Sequence, residues 1–122
     1  MLMATFSVTE AMVAWLSSMG YRASTRVPKD TPDEVVTVER TGGGVDDIVD
    51  HPMMAVQCWA PTEARAEEMA NAIRLAALTT APPAGVHSVR VNSGPYPFFD
   101  EDTRSPRYQL VLGLSSQLTT ND

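Results

Sequence analysis

The segment at residues 53–60, Met-Met-Ala-Val-Gln-Cys-Trp-Ala, constrains the fold more than any other part of this sequence. Successive side chains of a β-strand point to opposite faces, and here both alternating sets are largely apolar. Such a strand belongs in the middle of a sheet. We therefore predict a central strand with helices covering one of its faces and another layer or another molecule covering the second face.

Two amphipathic helices are predicted to provide the helical layer. The first, at about residues 8–19, begins with the capping-box pattern of residues 7–10 and ends at Gly20. The second begins after Thr62, its predicted N-cap, and Pro82-Pro83 ends it. Their apolar positions recur at steps of three and four residues: Val8, Ala11, Met12, Trp15, Leu16 and Met19, then Ala66, Met69, Ala70, Ile73, Ala76 and Ala77.

The remaining elements predict the fold class. Strand patterns fall at residues 21–25, 35–40, 53–60, 86–91 and 108–114. Long loops and the absence of regular βαβ repetition favour a mixed, mostly antiparallel sheet. We predict one α+β domain over residues 1–122, with a sheet of about four to five strands and two helices packed on one face. Residues 1–5 and 116–122 are expected to be frayed.

Composition narrows the function classes. The formal net charge is -6 and the basic residues are scattered singly, so the sequence lacks the clustered basic footprint of a nucleic-acid-binding protein. The single cysteine, Cys58, cannot form an internal disulfide, and a reducing cytoplasm is the expected compartment. The sequence contains no apolar run long enough to cross a bilayer, so we predict no membrane association.

No residue pattern indicates chemistry. His51, His87 and Cys58 do not have metal-site spacing, and the acidic segments at residues 46–50 and 100–102 do not match a calcium-binding loop. The glycines at residues 42–44 lack the lysine of a phosphate-binding loop. We therefore predict a protein that is not an enzyme, with no catalytic residues, no cofactor and no metal. The acidic segments are interpreted as solvated or interface-facing loops.

Two segments are candidates for contacts with other molecules. The first is residues 41–52, in which three successive glycines precede residues 45–52, a segment that we expect to form an exposed, structured loop. The second is residues 93–107, an aromatic and acidic loop. The aromatic cluster has two open interpretations, since such side chains either cover the edge of their own core or anchor a contact. The candidate interface residues are Arg40, Gly42, Gly43, Asp50, Tyr96, Phe98, Phe99 and Arg107.

Short patterns in a characteristic order carry a resemblance to a known family. They are Val-Thr-Val-Glu-Arg-Thr-Gly-Gly at residues 36–43, Asp-His-Pro at 50–52, Cys-Trp-Ala at 58–60 and the helix that follows. Ser-Gly-Pro at 93–95, an acidic turn at Asp100 and Pro-Arg-Tyr-Gln at 106–109 complete the set. Over residues 5–115 this arrangement resembles the tail terminator, or tail completion, proteins of actinobacterial siphophages.

The resemblance implies a structural role in the virion. Proteins of this family form a homohexameric ring at the head-proximal end of the tail tube, stop tube polymerisation and present a surface to the head connector. The implied partners are other copies of the chain, the major tail tube protein and the head-completion protein, while DNA passes through the lumen without specific binding. The implied location is the head-tail neck of a virion assembled in the host cytoplasm.

Two alternatives remain open from the sequence. Another ring component of the neck, such as a head-closure or adaptor protein, is expected to bind on the portal side and to leave tail length unchanged. A small ligand-binding α+β domain predicts a monomer or dimer with a polar cavity.

Overall fold

The protein is described by a computed structural model that covers residues 3–30, 32–46, 48–98 and 105–121. It contains two helices, α1 (Val8–Ser18) and α2 (Glu63–Thr79). The strands are β1 (Met3–Thr5), β2 (Ala23–Ser24), β3 (Val35–Gly42), β4 (Val45–Asp46), β5 (Val49–Asp50), β6 (Met53–Trp59), β7 (Val86–Pro97), β8 (Arg107–Gln117) and β9 (Thr119–Asn121).

The main sheet is built around β6 and β8. The path β2-β3-β6-β8 continues to β7 on the far edge of β8, while β5 and β4 extend the edge that β6 occupies. Among the described pairings only β2 with β3 is parallel, and the others are antiparallel. The predicted class, an α+β fold with two helices and a mixed sheet, is confirmed.

Both helices begin where the sequence predicts. The Ser7 hydroxyl accepts a hydrogen bond from the Glu10 amide, and Thr62 accepts one from the Arg65 amide in the same way. Each bond satisfies a backbone donor that has no partner within the helix. Gly20, with a φ of 94°, follows α1 in the left-handed conformation that helix ends favour.

One face of the sheet packs against both helices and forms the core. Met12 and Leu16 of α1 and Met69 and Ile73 of α2 are fully buried. Each such side chain contributes about 1.5–3 kcal/mol relative to exposure. The strands supply Val36, Val38, Met54, Val56, Cys58, Leu110, Leu112 and Leu114 to the same cluster. The alternate residues of these strands lie on the opposite surface, which we call the helix-free face.

The sheet has seven strands, so the predicted four to five was wrong. The difference arises in residues 35–59, which form one long hairpin instead of two strands joined by an exposed loop. Beyond the pairing of Gly42 with Met53, the two arms of the hairpin, β3 and β6, are extended by β4 and β5, where Val45 pairs with Asp50. The His51 amide donates to the Gly44 carbonyl across the interruption. The glycines therefore interrupt the first strand of the hairpin without ending the hairpin.

Two further segments differ from their predictions. Residues 93–97 belong to β7, and only Phe98, Ser105 and Pro106 remain as described parts of the predicted loop at 93–107. The terminal residues expected to be frayed pair with each other, since β1 is antiparallel to β9, and Ser116 within β8 is fully buried. Backbone hydrogen bonds between β1 and β9 hold these terminal residues, and their side-chain pattern alone does not predict that pairing.

Gly43 provides a test of the interrupted hairpin. Its φ is 97°, and a Cβ added there would lie 2.0 Å from the His51 carbonyl oxygen. We expect Gly43→Ala to lower the free energy of unfolding by about 1–3 kcal/mol through backbone strain alone, and further through the clash. Urea denaturation measures this loss. Gly44→Ala is the control, because nothing lies within 4 Å of a Cβ there. Equal effects of the two substitutions would contradict the hairpin geometry.

Candidate interaction surface

A chain of polar side chains crosses four strands on the helix-free face. The Trp59 indole N–H donates to the Thr37 hydroxyl over 3.1 Å, and that hydroxyl donates to the Gln57 amide oxygen over 3.5 Å. The Gln57 amide nitrogen donates to Gln109 over 2.8 Å, and Gln109 donates to the Tyr96 hydroxyl over 2.7 Å. Each group donates to the next, so the bonds polarise one another.

An arginine closes the Trp59 end of this chain. The Arg107 guanidinium lies over the Trp59 ring, with 4.4 Å from its central carbon to the ring centroid, and over the Phe98 ring at 4.7 Å. It also donates to the Phe98 carbonyl and, over 3.4 Å, to the Gln57 amide oxygen. A guanidinium held between two aromatic faces is a cation–π arrangement. Trp, Tyr and Arg are the residues most enriched among interface hot spots.

The strand register explains why these side chains meet. Gln57 pairs with Gln109 and Trp59 with Arg107 across β6 and β8, while Tyr96 of β7 pairs with Gln109 from the other edge. Paired residues in neighbouring strands share one face. The row is half-buried by its own contacts, and Phe98 remains 43% exposed. This face is therefore ordered within one chain and still accessible to a partner.

A second polar cluster holds the long hairpin. Arg40 donates two hydrogen bonds to the Asp50 carboxylate, over 2.7 and 2.8 Å, and donates to the Gly42 and Gly43 carbonyls. The Asp50 side chain is only 10% exposed. Hydrogen bonding to Arg40 holds the pKa of the Asp50 carboxyl below its usual range, against the opposing effect of burial. The fork geometry of a guanidinium suits such bidentate pairing.

The tip of this hairpin is exposed. Val45 is 55% exposed and Ile48 is 78% exposed, and Asp46 between them in sequence is exposed as well. We call these three residues the hairpin tip. Since Val49 and Asp50 pair with Gln117 and Ser116, the tip lies beyond the C-terminal end of β8. The Arg107 stack lies at the N-terminal end of the same strand.

The structure thus separates the predicted interface residues into two groups. Arg40, Gly42, Gly43 and Asp50 meet in the hairpin and hold one another; Asp50 is buried there, whereas Arg40 and the two glycines are exposed. Tyr96, Phe98 and Arg107 meet on the helix-free face. Phe99 lies outside the described residues. The expectation that all of them contact other molecules is untested, and for the first group the contacts within the chain already explain the residues.

Sequence reasoning did not select Thr37, Gln57, Trp59 or Gln109 as site residues. A signal was present, because Gln57 with Trp59 and Arg107 with Gln109 each show the two-residue spacing that places side chains on one strand face. The spacing alone does not reveal which strands are neighbours. The pairing of two distant segments was needed to bring the glutamines together.

A groove beside α1 has little to offer a polar ligand. It encloses about 260 Å³ between Ala11, Ala14, Trp15 and Ser18 on one side and Pro82, Pro83 and Ala84 on the other. The indole N–H of Trp15 donates to the Ala81 carbonyl over 3.2 Å, and the Ser18 hydroxyl donates to the Trp15 carbonyl over 2.6 Å. Both side-chain polar groups are therefore already engaged, whereas a ligand site needs polar groups that fix the ligand's orientation.

Within the described ranges, no three His, Cys, Asp or Glu side chains come together as a metal-binding group. The acidic residues 100–102 lie outside those ranges. Cys58 is buried beneath the helices, and burial raises the pKa of its thiol to about 12. No helix in the described part of the chain is long and apolar enough to cross a membrane.

No protein-family model matches the sequence, and no curated protein matches it significantly.

The Arg40–Asp50 pair predicts a pH-dependent contribution to stability. We expect Asp50→Asn to lower the free energy of unfolding by about 1–3 kcal/mol at pH 7, because the partly exposed Arg40 guanidinium loses the buried carboxylate that accepts two of its hydrogen bonds. The folded-state pKa of Asp50 is lowered, so the contribution is complete above the unfolded pKa of about 4 and is lost as the pH falls through the folded value. Urea denaturation from pH 7 to pH 3 should show the difference from the parent protein shrinking below about pH 4.

The matched control is Asp30→Asn. The Arg22–Asp30 pair has a similar geometry, at 3.0 Å, but its side chains are 51% and 64% exposed. An exposed pair contributes at most about 1 kcal/mol. A loss from Asp30→Asn as large as that from Asp50→Asn would show that burial does not distinguish the two pairs.

Proposed function

We propose that this protein is a non-enzymatic tail terminator of a long-tailed phage, which forms a ring on the head-proximal end of the tail tube. The ring blocks further addition of tube subunits and provides the surface to which the head connector attaches. The capping is steric, and no covalent bond is formed or broken. The sequence resemblance suggests the family, and the helix-free face is the structural observation that carries the proposal.

The helix-free face has the composition of a contact surface. Trp59, Tyr96 and Arg107 are half-buried and held by contacts within the chain, so these side chains lose little entropy when a partner binds. Tyr96 accepts a hydrogen bond from Gln109, and its own O–H has no acceptor among the described residues. A preorganised row with a spare donor is suited to binding another protein chain.

Other features of the surface are consistent with copies that associate through the faces of their sheets and not through strand edges. The outer edge of β7 pairs with no other strand in the described part of the chain, but three register shifts and two prolines, Pro95 and Pro97, interrupt it. Such features protect an edge from pairing with another strand. The net charge of -6 suits a ring through which DNA slides, since a basic lumen would retain phosphates.

The test is the native mass of the purified protein, alone and mixed with the tail tube protein, measured by light scattering after size exclusion. We expect a species of about six protomers, alone or on the tube, as closed symmetry requires a fixed number of copies. Electron microscopy of tubes assembled with and without the protein measures their length. Rings that leave tube length unchanged would indicate another neck component, and a monomer that ignores the tube would contradict the proposal.

A further inference from the structure

The exposed hairpin tip has features of a contact element. Val45 and Ile48 present apolar surface to solvent, and Asp46 carries a charge that no described residue pairs with. The tip is held firmly, because Arg40 bonds both Asp50 and the glycine carbonyls below it. A rigid element loses less entropy on binding than a flexible loop.

The helix-free face contains a complementary region next to the polar chain. Ala55, Ser93, Val111 and Gly113 lie there as neighbours in the strand register; Ala55 and Gly113 are buried, and the small Ser93 and Val111 side chains are half-buried. Arg90 lies against this region, with its guanidinium within 3 Å of the place where a Gly113 Cβ would be. Gly113 therefore provides the space in which the arginine lies flat on the sheet.

Arg90 supplies the charge complement. It is exposed and, within the described ranges, makes no ion pair. Glu39, an acid on the same face, stands on β3, which is three strand positions away from β7, or about 14 Å at the usual strand spacing. An acidic, apolar element is thus attracted to the β7 side of this face. Since the chain carries a net charge of -6, such a local attraction also offsets the general repulsion between copies.

The tip of a chain cannot reach its own Arg90 region. Asp46 is paired with Val49 and Val49 with Gln117, while Arg90 stands opposite Gly113, four residues earlier along β8 and three strand positions from β4. At ~3.3 Å per residue along the strands and ~4.8 Å between strands, the Cα atoms of Asp46 and Arg90 are about 20 Å apart. Both positions are fixed in one sheet, so any contact between tip and face joins two molecules.

We propose that the hairpin tip of one copy binds the helix-free face of the next copy, with Asp46 paired to Arg90 and Ile48 packed against Ser93 and Val111. This inference rests on the ring proposed above and names its subunit contact. Tip and face are different surfaces, so the contact is head-to-tail, the type that closes into a ring when the rotation between copies permits.

A charge exchange tests the pair directly. We expect Arg90→Glu and Asp46→Arg each to weaken self-association at least about tenfold, as charge pairs at protein interfaces do, and the double variant to recover most of it. Native mass over a dilution series measures the association. Lys29→Glu is the control, because it makes the same charge change at an exposed lysine elsewhere. Thermal melting of each variant shows that it is folded.

The possible outcomes distinguish failure of this contact from failure of the proposed function. Rings in the parent protein that survive Arg90→Glu, or that the double variant fails to restore, would overturn the contact and leave the tail-terminator proposal standing. A parent protein that remains monomeric, with and without the tube, would overturn both proposals.

Disulfide trapping gives a second measurement of the contact between the tip and the helix-free face, and this measurement does not depend on charge. An Ile48→Cys protein is mixed with a Ser93→Cys protein under mild oxidation, and the heterodimer is measured on non-reducing gels. A disulfide needs Cα atoms within about 7 Å, so only a direct contact allows it. We expect at least about tenfold faster trapping than with Leu78→Cys, a control cysteine at a residue that is 65% exposed on α2. Equal rates would contradict the proposed contact, and buried Cys58 adds little background.

Discussion

The antiparallel pairing of β6 with β8 determines most of this structure. With Val56 opposite Leu110, the even-numbered residues of both strands point toward the helices and form the core. The same register places Gln57 opposite Gln109 and Trp59 opposite Arg107 on the other face. A slip of one residue would exchange the two faces of a strand. The apolar core therefore fixes the polar surface, because burial of the even-numbered side chains specifies which residues meet on the helix-free face.

Where the hydrophobic core ends, polar contacts hold the sheet. Beyond Gly42 the hairpin leaves the helices, and its exposed tip has no buried apolar side chains to stabilise it. Arg40 and Asp50 take that role, since their bidentate pair joins the two arms and also satisfies glycine carbonyls. A half-buried ion pair is costly to desolvate, so its value lies in fixing one geometry more than in adding stability. The tip is thereby held in line with β8.

The sequence allowed the local features to be predicted and left the long-range ones open. Ser7 and Thr62 mark the helix starts because capping depends on neighbours in sequence, and the stripes of both helices pack as their spacing predicts. The continuation of the hairpin through residues 45–50 was missed because glycines and aspartates disfavour strands, while the paired arm and Arg40 override that preference. The candidate surface was found only in part, because the partners of Tyr96 and Arg107 come from β6 and β8, whose pairing no local pattern records.

The placement of the two exposed elements bears on how copies assemble. The tip and the Arg107 stack lie at opposite ends of β8, and both are fixed to that strand by pairing. In the proposed contact, both elements belong to one sheet. The twist of that sheet, and not a flexible linker, therefore determines the rotation from one copy to the next. A head-to-tail contact with a fixed rotation gives either a closed ring or an open filament, and rigidity is what allows one number of copies to be selected. A protein that must end a tube of fixed symmetry needs that property more than it needs a pocket.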